Sequence, residues 1–370
     1  MAKKDKEQTE LKTTGKLSQE QVIKLLRKMA TDDTVAKVLQ DVESVPDWIP
    51  TGCRLLDSIT HKDGAYGIPV TKIIELAGDT GTGKSYIAAQ IAANAQRKNY
   101  SVVMFDSEHA TDPDFLEKIG CDTTRIVYSR AKSVEYVLNS IDALLSDSDD
   151  SYFFVWDSLA LTPTEATLEM DEVNPMASMA LKARILSEGF QKIIQKLPRT
   201  NSTLLIVNQL KTNITKNPMD ALVNPYFTSG GKTPSYAYSL RIWLTGSKSK
   251  ASFVDDASGN RQGTLVRAKI EKSRFGTYGR STEFQILWGD DVRYHEVPFW
   301  IEILKQNDNF TQAGAWVTMK YEDGTFDKFT ASQFEERFAT SDKFQKRVLE
   351  LLDEELIKKA EPNHQTEGQS

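Results

Sequence analysis

Apolar residues along this chain fall into two alternating patterns. Short runs rich in β-branched and aromatic side chains, at 73–77, 102–105, 126–128, 152–156 and 204–207, have the length of single strands. Between them lie longer stretches, 86–93, 133–145 and 179–197, whose apolar positions recur at helical spacing. Continuous apolar strands alternating with helices predict an α/β fold, a mostly parallel twisted sheet flanked by helices. From about 239 to 287 the chain turns strand-rich with Gly-containing turns, which predicts added strands at one sheet edge.

The flanks read differently. Residues 1–16 are charged and polar and are expected to form a disordered tail. Ser18-Gln19-Glu20-Gln21 resembles a helix start, and Val22, Ile23, Leu25, Leu26 and Met29 follow at roughly helical spacing. The segment 17–50 is therefore expected to be a small helical element for partner contact, broken from a core at 51–290 by Pro46, Pro50 and Gly52. A turn at Gly289-Asp290 opens a different segment, 291–358, with aromatics, a hairpin around Asp323-Gly324 and a last helical stretch from about 342. That segment is expected to be a small α+β C-terminal lobe, with 359–370 as a flexible tail.

Composition narrows the class. The 370 residues are 39% hydrophobic and 26% charged, ordinary for a globular protein and enough for one large domain with appendages. No apolar run reaches the length of a membrane span, and the polar N-terminus does not read as a signal peptide, so a cytoplasmic protein is expected. Cys53 and Cys121 cannot build a disulfide framework, and four scattered histidines give no zinc spacing. A net charge of −6 argues against coating nucleic acid with the whole surface, while leaving a local lining open.

The most specific motif lies between the first core strand and its helix. Gly78-Asp79-Thr80-Gly81-Thr82-Gly83-Lys84-Ser85 fits the phosphate-binding loop G-x-x-x-x-G-K-[ST]. Its glycines turn backbone N–H groups inward onto phosphate oxygens, and the helix that follows points its positive end at the same charge. Lys84 would reach the β- and γ-phosphates of a nucleoside triphosphate, and Ser85 would offer its hydroxyl to Mg²⁺. A glycine-rich surface turn is the alternative, and the strand before and helix after argue against it.

Three strand ends supply candidate partners. The run 152–156 ends in Asp157, as a second magnesium ligand would, although an Asp capping a helix has the same look. Glu108 follows the strand 102–105 and should emerge beside the phosphate loop. There it would polarise an attacking water or be an ordinary loop carboxylate, and spacing does not choose. Gln209, after the strand 204–208, is a neutral amide that would sense a γ-phosphate or its water, or simply be a polar strand end. The stretch 211–229 then runs without periodicity to Gly230-Gly231, a long structureless excursion carrying Lys211, Lys216, Tyr226 and Phe227. Those cations and aromatics suit backbone phosphates and base faces, with a flexible surface excursion as the alternative.

Together with Thr71-Lys72-Ile73-Ile74-Glu75-Leu76, the 105–113 motif, the 155–163 motif, Leu205-Ile206-Val207-Asn208-Gln209, Thr228-Ser229-Gly230-Gly231, the 283–287 run and Ala313-Gly314-Ala315-Trp316, these residues form an ordered set over roughly 51–352. The chain resembles RecA-family homologous recombinases, and is similar in character to compact phage-encoded members. The resemblance implies a P-loop ATPase core in which Glu108 acts on water, Asp112 hydrogen-bonds the adenine amino group and Phe115 lies against the ring. It implies that Gln209 couples the γ-phosphate to the loop after it, with 165–179 as a first DNA-binding loop and 211–229 as a second. Lys272 and Arg274 would reach the neighbouring subunit's nucleotide. Single-stranded DNA, homologous duplex DNA, further copies of the chain in a helical filament, a single-strand-binding protein and a loader are the implied partners. A ring-shaped motor on the same fold and a non-hydrolysing mediator are the competing readings. The acidic Asp171 and Glu172 in the first loop, and the length of the second, depart from the family pattern.

Overall fold

The computed structural model describes residues 17–30, 36–41, 45–169, 174–213, 219, 225–246, 253–255, 258–289 and 292–360. The chain forms two compact units, Met1–Pro46 and Asp47–Ser370. In the first, helix α1 (Gln19–Ala30) starts with a reciprocal cap: Gln21 N–H donates to Ser18 Oγ at 3.3 Å and Ser18 N–H to Gln21 Oε1 at 2.9 Å. No residue of α1 is buried, and Val22, Leu25, Leu26 and Met29 make an exposed apolar stripe.

The second unit opens with a small antiparallel pair, β1 (Trp48–Ile49) and β2 (Ile68–Pro69), around helix α2 (Arg54–Thr60). The large sheet follows. Its strands β3 (Ile73–Gly78), β4 (Ser101–Asp106), β5 (Ile126–Arg130) and β6 (Tyr152–Asp157) alternate with helices α3 (Lys84–Arg97), α4 (Pro113–Ile119) and α5 (Val134–Asp147). Helices α6 (Glu165–Glu169) and α7 (Pro175–Lys196) lead to β7 (Thr203–Thr212), β8 (Tyr226–Thr228) and β9 (Leu240–Gly246). Six strands run parallel in the order β9-β3-β7-β6-β4-β5. Beyond β9, β11 (Arg261–Ser273), β12 (Ser281–Leu287) and β13 (Arg293–His295) continue the sheet antiparallel, and β10 (Phe253–Asp255) pairs with β11.

The two-residue period of a strand decides which helix each side chain meets. Phe154 and Trp156 of β6 join Phe105, Ile141, Leu186 and Phe190 in a core under α5 and α7. Helix α3 packs against β3, β4, β6 and β7. One strand departs from the buried pattern: Val127 and Tyr128 of β5 are 61% and 47% exposed, because an edge strand has a neighbour on one side only.

Two boundaries also differ from the periodicity. Helix α7 begins at Pro175 rather than near 179, because Asn174 Oδ1 accepts from the N–H groups of Met176 and Ala177 and Pro175 takes the first helical position. Strand β7 runs on to Thr212, because β8 pairs back onto it: Leu210 with Thr228, Lys211 with Phe227 and Thr212 with Tyr226. The excursion after Gln209 is therefore not structureless throughout; it has a paired stem.

Past β13, helix Val297–Leu304 precedes a three-stranded antiparallel sheet, β14 (Phe310–Ala313), β15 (Trp316–Lys320) and β16 (Phe326–Thr330). Phe310, Phe329, Phe334 and Phe344 pack edge-on beneath helices Phe334–Thr340 and Asp342–Ala360.

Candidate nucleotide site and nucleic-acid elements

Strand β3 delivers Gly78 to the C-terminal edge of the parallel sheet, and Asp79 to Gly83 turn the chain into α3. Thr80 and Gly81 form the exposed tip, while Thr82 is buried and donates its hydroxyl to the Asp79 carbonyl at 2.8 Å. Gly83 sits at φ +75°, and a Cβ there would lie 2.4 Å from Ile286 Cδ1. The left-handed φ favours glycine, while the close contact is with the terminal methyl of one side chain. As the N-cap Gly83 leaves α3 without a side-chain cap, so the first helical N–H groups face outward for an anion. Lys84 Nζ donates to the Asp79 carbonyl at 2.8 Å, and burial lowers its pKa below that of an ordinary lysine.

The ends of β6 and β4, across β7 from β3, bring in the carboxylates. Ser85 Oγ donates to Asp157 Oδ2 at 2.7 Å. Burial pushes Asp157 up to about 6, with Glu108 and Asp106 adding repulsion and the Ser85 bond opposing it. One hydroxyl and one carboxylate fit Mg²⁺, which keeps several waters and takes its remaining oxygens from phosphates. Among the described residues no cluster of three or more His, Cys, Asp or Glu is placed to hold a metal by itself.

Glu108 Oε1 accepts from Ser158 Oγ at 3.1 Å, and Glu108 lines one small pocket with Ser85, Asp112, Phe115 and Asp157. Asp112 caps α4, accepting from Asp114 N–H at 3.0 Å, and Phe115 is half-buried beside it. The loop between β4 and α4 is held by Asp106. Its carboxylate accepts from the N–H groups of Glu108 and His109 at 2.8 Å and from Thr111 N–H at 3.0 Å and Oγ1 at 2.8 Å. Burial raises the Asp106 pKa, but these bonds outweigh it and leave the group below the ordinary carboxylate range. Ser107 links the loop to β6, accepting from Ser158 N–H and donating to Ser158 O, each at 2.9 Å. Sequence reasoning gave Asp106 and Ser107 no role and left Ser158 between a cap and a ligand network. The available signal was an Asp at a strand end two and three residues before open N–H groups, the pattern of an Asx turn.

A family model for the RecA N-terminal domain matches residues 18–293. The chain belongs to the RecA family. Membership carries a recombinase-type function in general, and RecA-family members are DNA-dependent ATPases that use ATP and Mg²⁺. The match ends on β13, so the three-stranded sheet and last helices lie beyond it. Among the described residues no helix is long and apolar enough to cross a membrane.

In this RecA-family core Gln209 is in register with Gly78, beside the phosphate loop, within rather than at the end of β7. Lys272 and Arg274 stand elsewhere. Lys272 is in register with Arg241 and Gly78 with Leu244, three residues further along β9, which separates them by roughly 10 Å along the strand. The structure does not bring the two cations to the chain's own phosphate loop. Instead Lys272 Nζ donates to the carbonyls of Ser235 and Tyr236 at 2.8 and 3.1 Å, and Arg274 Nη2 to that of Tyr236 at 2.9 Å. Burial, then repulsion from Arg274 and Arg241, lowers the Lys272 pKa.

The candidate DNA residues divide. Lys211 and Phe227 are exposed and opposite each other on the β7–β8 stem, while Tyr226 packs edge-on against Trp243 at 6.4 Å between centroids. Lys216 lies outside the described residues, as do 170–173 of the first candidate loop. The rest of that loop is α6 and the first turn of α7, where Met176 and Met179 are 83% and 61% exposed. Gly230 and Gly231 turn against α7, near Leu186 and Ala183.

Proposed function

We propose that this chain is an ATP-dependent recombinase that forms helical filaments on single-stranded DNA and catalyses homologous pairing and strand exchange. The observation that carries the ATP site is the convergence of Lys84, Ser85, Glu108 and Asp157 at the C-terminal ends of β3, β4 and β6 of a RecA-family core. Backbone N–H groups of the 78–85 loop and Lys84 bind the phosphates, and Asp112 and Phe115 hold the base. Ser85 and Asp157 are the protein ligands for Mg²⁺, which when bound neutralises the β- and γ-phosphate oxygens. Glu108, oriented by Ser158 and by the Asp106-held loop, takes the proton of the attacking water.

Lys272 and Arg274, set away from the chain's own loop, are proposed to complete the site of the next copy. Turnover then depends on assembly, and a head-to-tail contact that does not close builds a filament. The exposed stripe of α1 is the proposed contact element. Lys211, Lys216, Tyr226, Phe227, Gly230 and Gly231 are proposed to form the second DNA element, with phosphate contacts and stacking supplying affinity and base pairing reading homology. The departures in both loops support a phage-encoded member acting in the host cytoplasm, beside a single-strand-binding protein and a loader.

The test is ATP hydrolysis with single-stranded DNA, duplex DNA or none, with Lys84→Ala as control. Strong stimulation by single strands, lost in K84A, followed by strand exchange between homologous DNAs and open filaments in images, is expected. DNA-indifferent turnover, or full turnover in K84A, refutes the reading.

A further inference from the structure

Helix α7 turns one face to the core. Leu186 and Phe190, four residues apart on it, are fully buried and pack with Trp156 of β6 and Leu159 of the turn that follows. One helical turn before Leu186 the same face carries Lys182, a half-buried cation. Its Nζ donates to the carbonyls of Leu159 and Thr162, each at 2.7 Å, and reaches that of Ala160 at 3.4 Å. These partners are backbone dipoles rather than a carboxylate. Burial, with repulsion from Lys211 of β7, lowers the lysine's pKa to about 8, so it is still a cation at neutral pH. A desolvated charge is costly, and the three carbonyls offset that cost only while the turn keeps its shape. Bonds from a charged donor are also stronger than neutral ones, so Lys182 is a firm clamp on this turn.

The same turn carries Ser158. Trp156 Nε1 donates to Thr162 Oγ1, and Thr162 Oγ1 donates to the Ser158 carbonyl, both at 2.9 Å, which closes 156–162 into one unit. Ser158 Oγ then donates to Glu108 Oε1 at 3.1 Å. A run of contacts therefore leads from α7, through the turn after β6, to the carboxylate proposed to act on water. Lys182 itself does not line the pocket that Ser85, Glu108, Asp112, Phe115 and Asp157 share.

We propose that Lys182 is a positioning residue, which fixes the 159–162 carbonyls and so holds Ser158 where its hydroxyl orients Glu108 for turnover. This rests on the function proposed above. The phosphate loop, Asp112 and Phe115 make no use of the clamp, so its loss spares nucleotide binding. Proton transfer suffers instead, because it depends steeply on where the accepting oxygen sits.

The test is a double-mutant cycle on single-strand-stimulated ATP turnover of the full chain, with nucleotide affinity measured alongside. Lys182→Met removes the cation and keeps an apolar stem, and Ser158→Ala removes the hydroxyl through which the clamp acts. Each should lower kcat about tenfold, one hydrogen bond's worth, and leave the nucleotide Kd within about twofold. In the double variant the fall should be no greater than in the more affected single, because both changes act on one contact. A lysine that only stabilises the fold would lower melting temperature and nucleotide affinity together, and its effect would multiply with that of S158A. If K182M does not fold, Lys182→Gln, whose neutral amide cannot reach three carbonyls, takes its place with the same expected outcome. Full turnover in the folded Lys182 variant, a fall matched by lost nucleotide affinity, or falls that multiply in the double variant overturn the positioning role. Glu108→Gln is the control for the site beneath it. Turnover lost in E108Q but kept in K182M overturns the positioning alone, and full turnover in E108Q overturns the role of Glu108 as well.

Discussion

Asp57 on α2 gives a test of buried electrostatics away from the candidate site. Its carboxylate is 7% exposed and accepts from Thr51 N–H at 2.9 Å. Burial raises its pKa from 3.8 to about 7, the Thr51 hydrogen bonds pull it down, and nearby Glu296 pushes it up. The folded pKa lies above the unfolded one, so the folded chain keeps a proton that the unfolded chain releases between about pH 4 and pH 7. Stability from this group is full below that window, falls as pH rises through it, and is flat above. Three pH units at 1.36 kcal/mol each amount to about 4 kcal/mol. Asp57→Asn keeps an acceptor for Thr51 and cannot ionise. Urea unfolding of wild type and D57N between about pH 5 and pH 8 should show the variant gaining on wild type as pH rises, by a few kcal/mol in all. Any cost of the added amide is a constant offset and does not change that slope. A stability difference independent of pH would refute the reasoning.

Other expectations are simpler. Glu108→Gln should keep nucleotide binding and lower single-strand-stimulated turnover about 10²- to 10⁴-fold, the usual contribution of a positioned base; unchanged turnover removes it from that role. Gly83→Ala places a Cβ 2.4 Å from Ile286 Cδ1 at φ +75°. It should cost about 1–3 kcal/mol and weaken nucleotide binding, read as a lower melting temperature and a lost nucleotide-induced shift. An unaltered melting temperature would show that the loop relaxes without strain.

Much of the architecture was legible because burial on both faces writes itself into composition. The runs 152–156 and 204–207 are continuous and apolar, and 73–77 is so but for Glu75, because their strands have a neighbour on each side and helices above and below. The phosphate loop was legible because a tight turn that aims N–H groups at an anion admits few residues. Ser133 was likewise readable as a helix start, and its Oγ accepts from Tyr136 N–H at 3.0 Å. Where the periodicity ended wrongly, a distant partner was the cause. Strand β7 is extended by β8, more than a dozen residues away in sequence, and nothing local to 208–212 encodes that pairing.

Sequence alone therefore determined the fold class, the order of its elements and the phosphate-loop motif, because each is a local property of side-chain size, polarity and spacing. Only the tertiary structure decided that Glu108 meets Ser158, that Asp106 holds the intervening loop, and that Lys272 and Arg274 stand away from their own phosphate loop. It alone joined Glu75, Asn208 and Arg241, which are 133 and 166 residues apart from Glu75 in the chain. Those relations depend on strand order and register, which emerge when distant segments compete to bury their apolar faces, and no single stretch of sequence contains them.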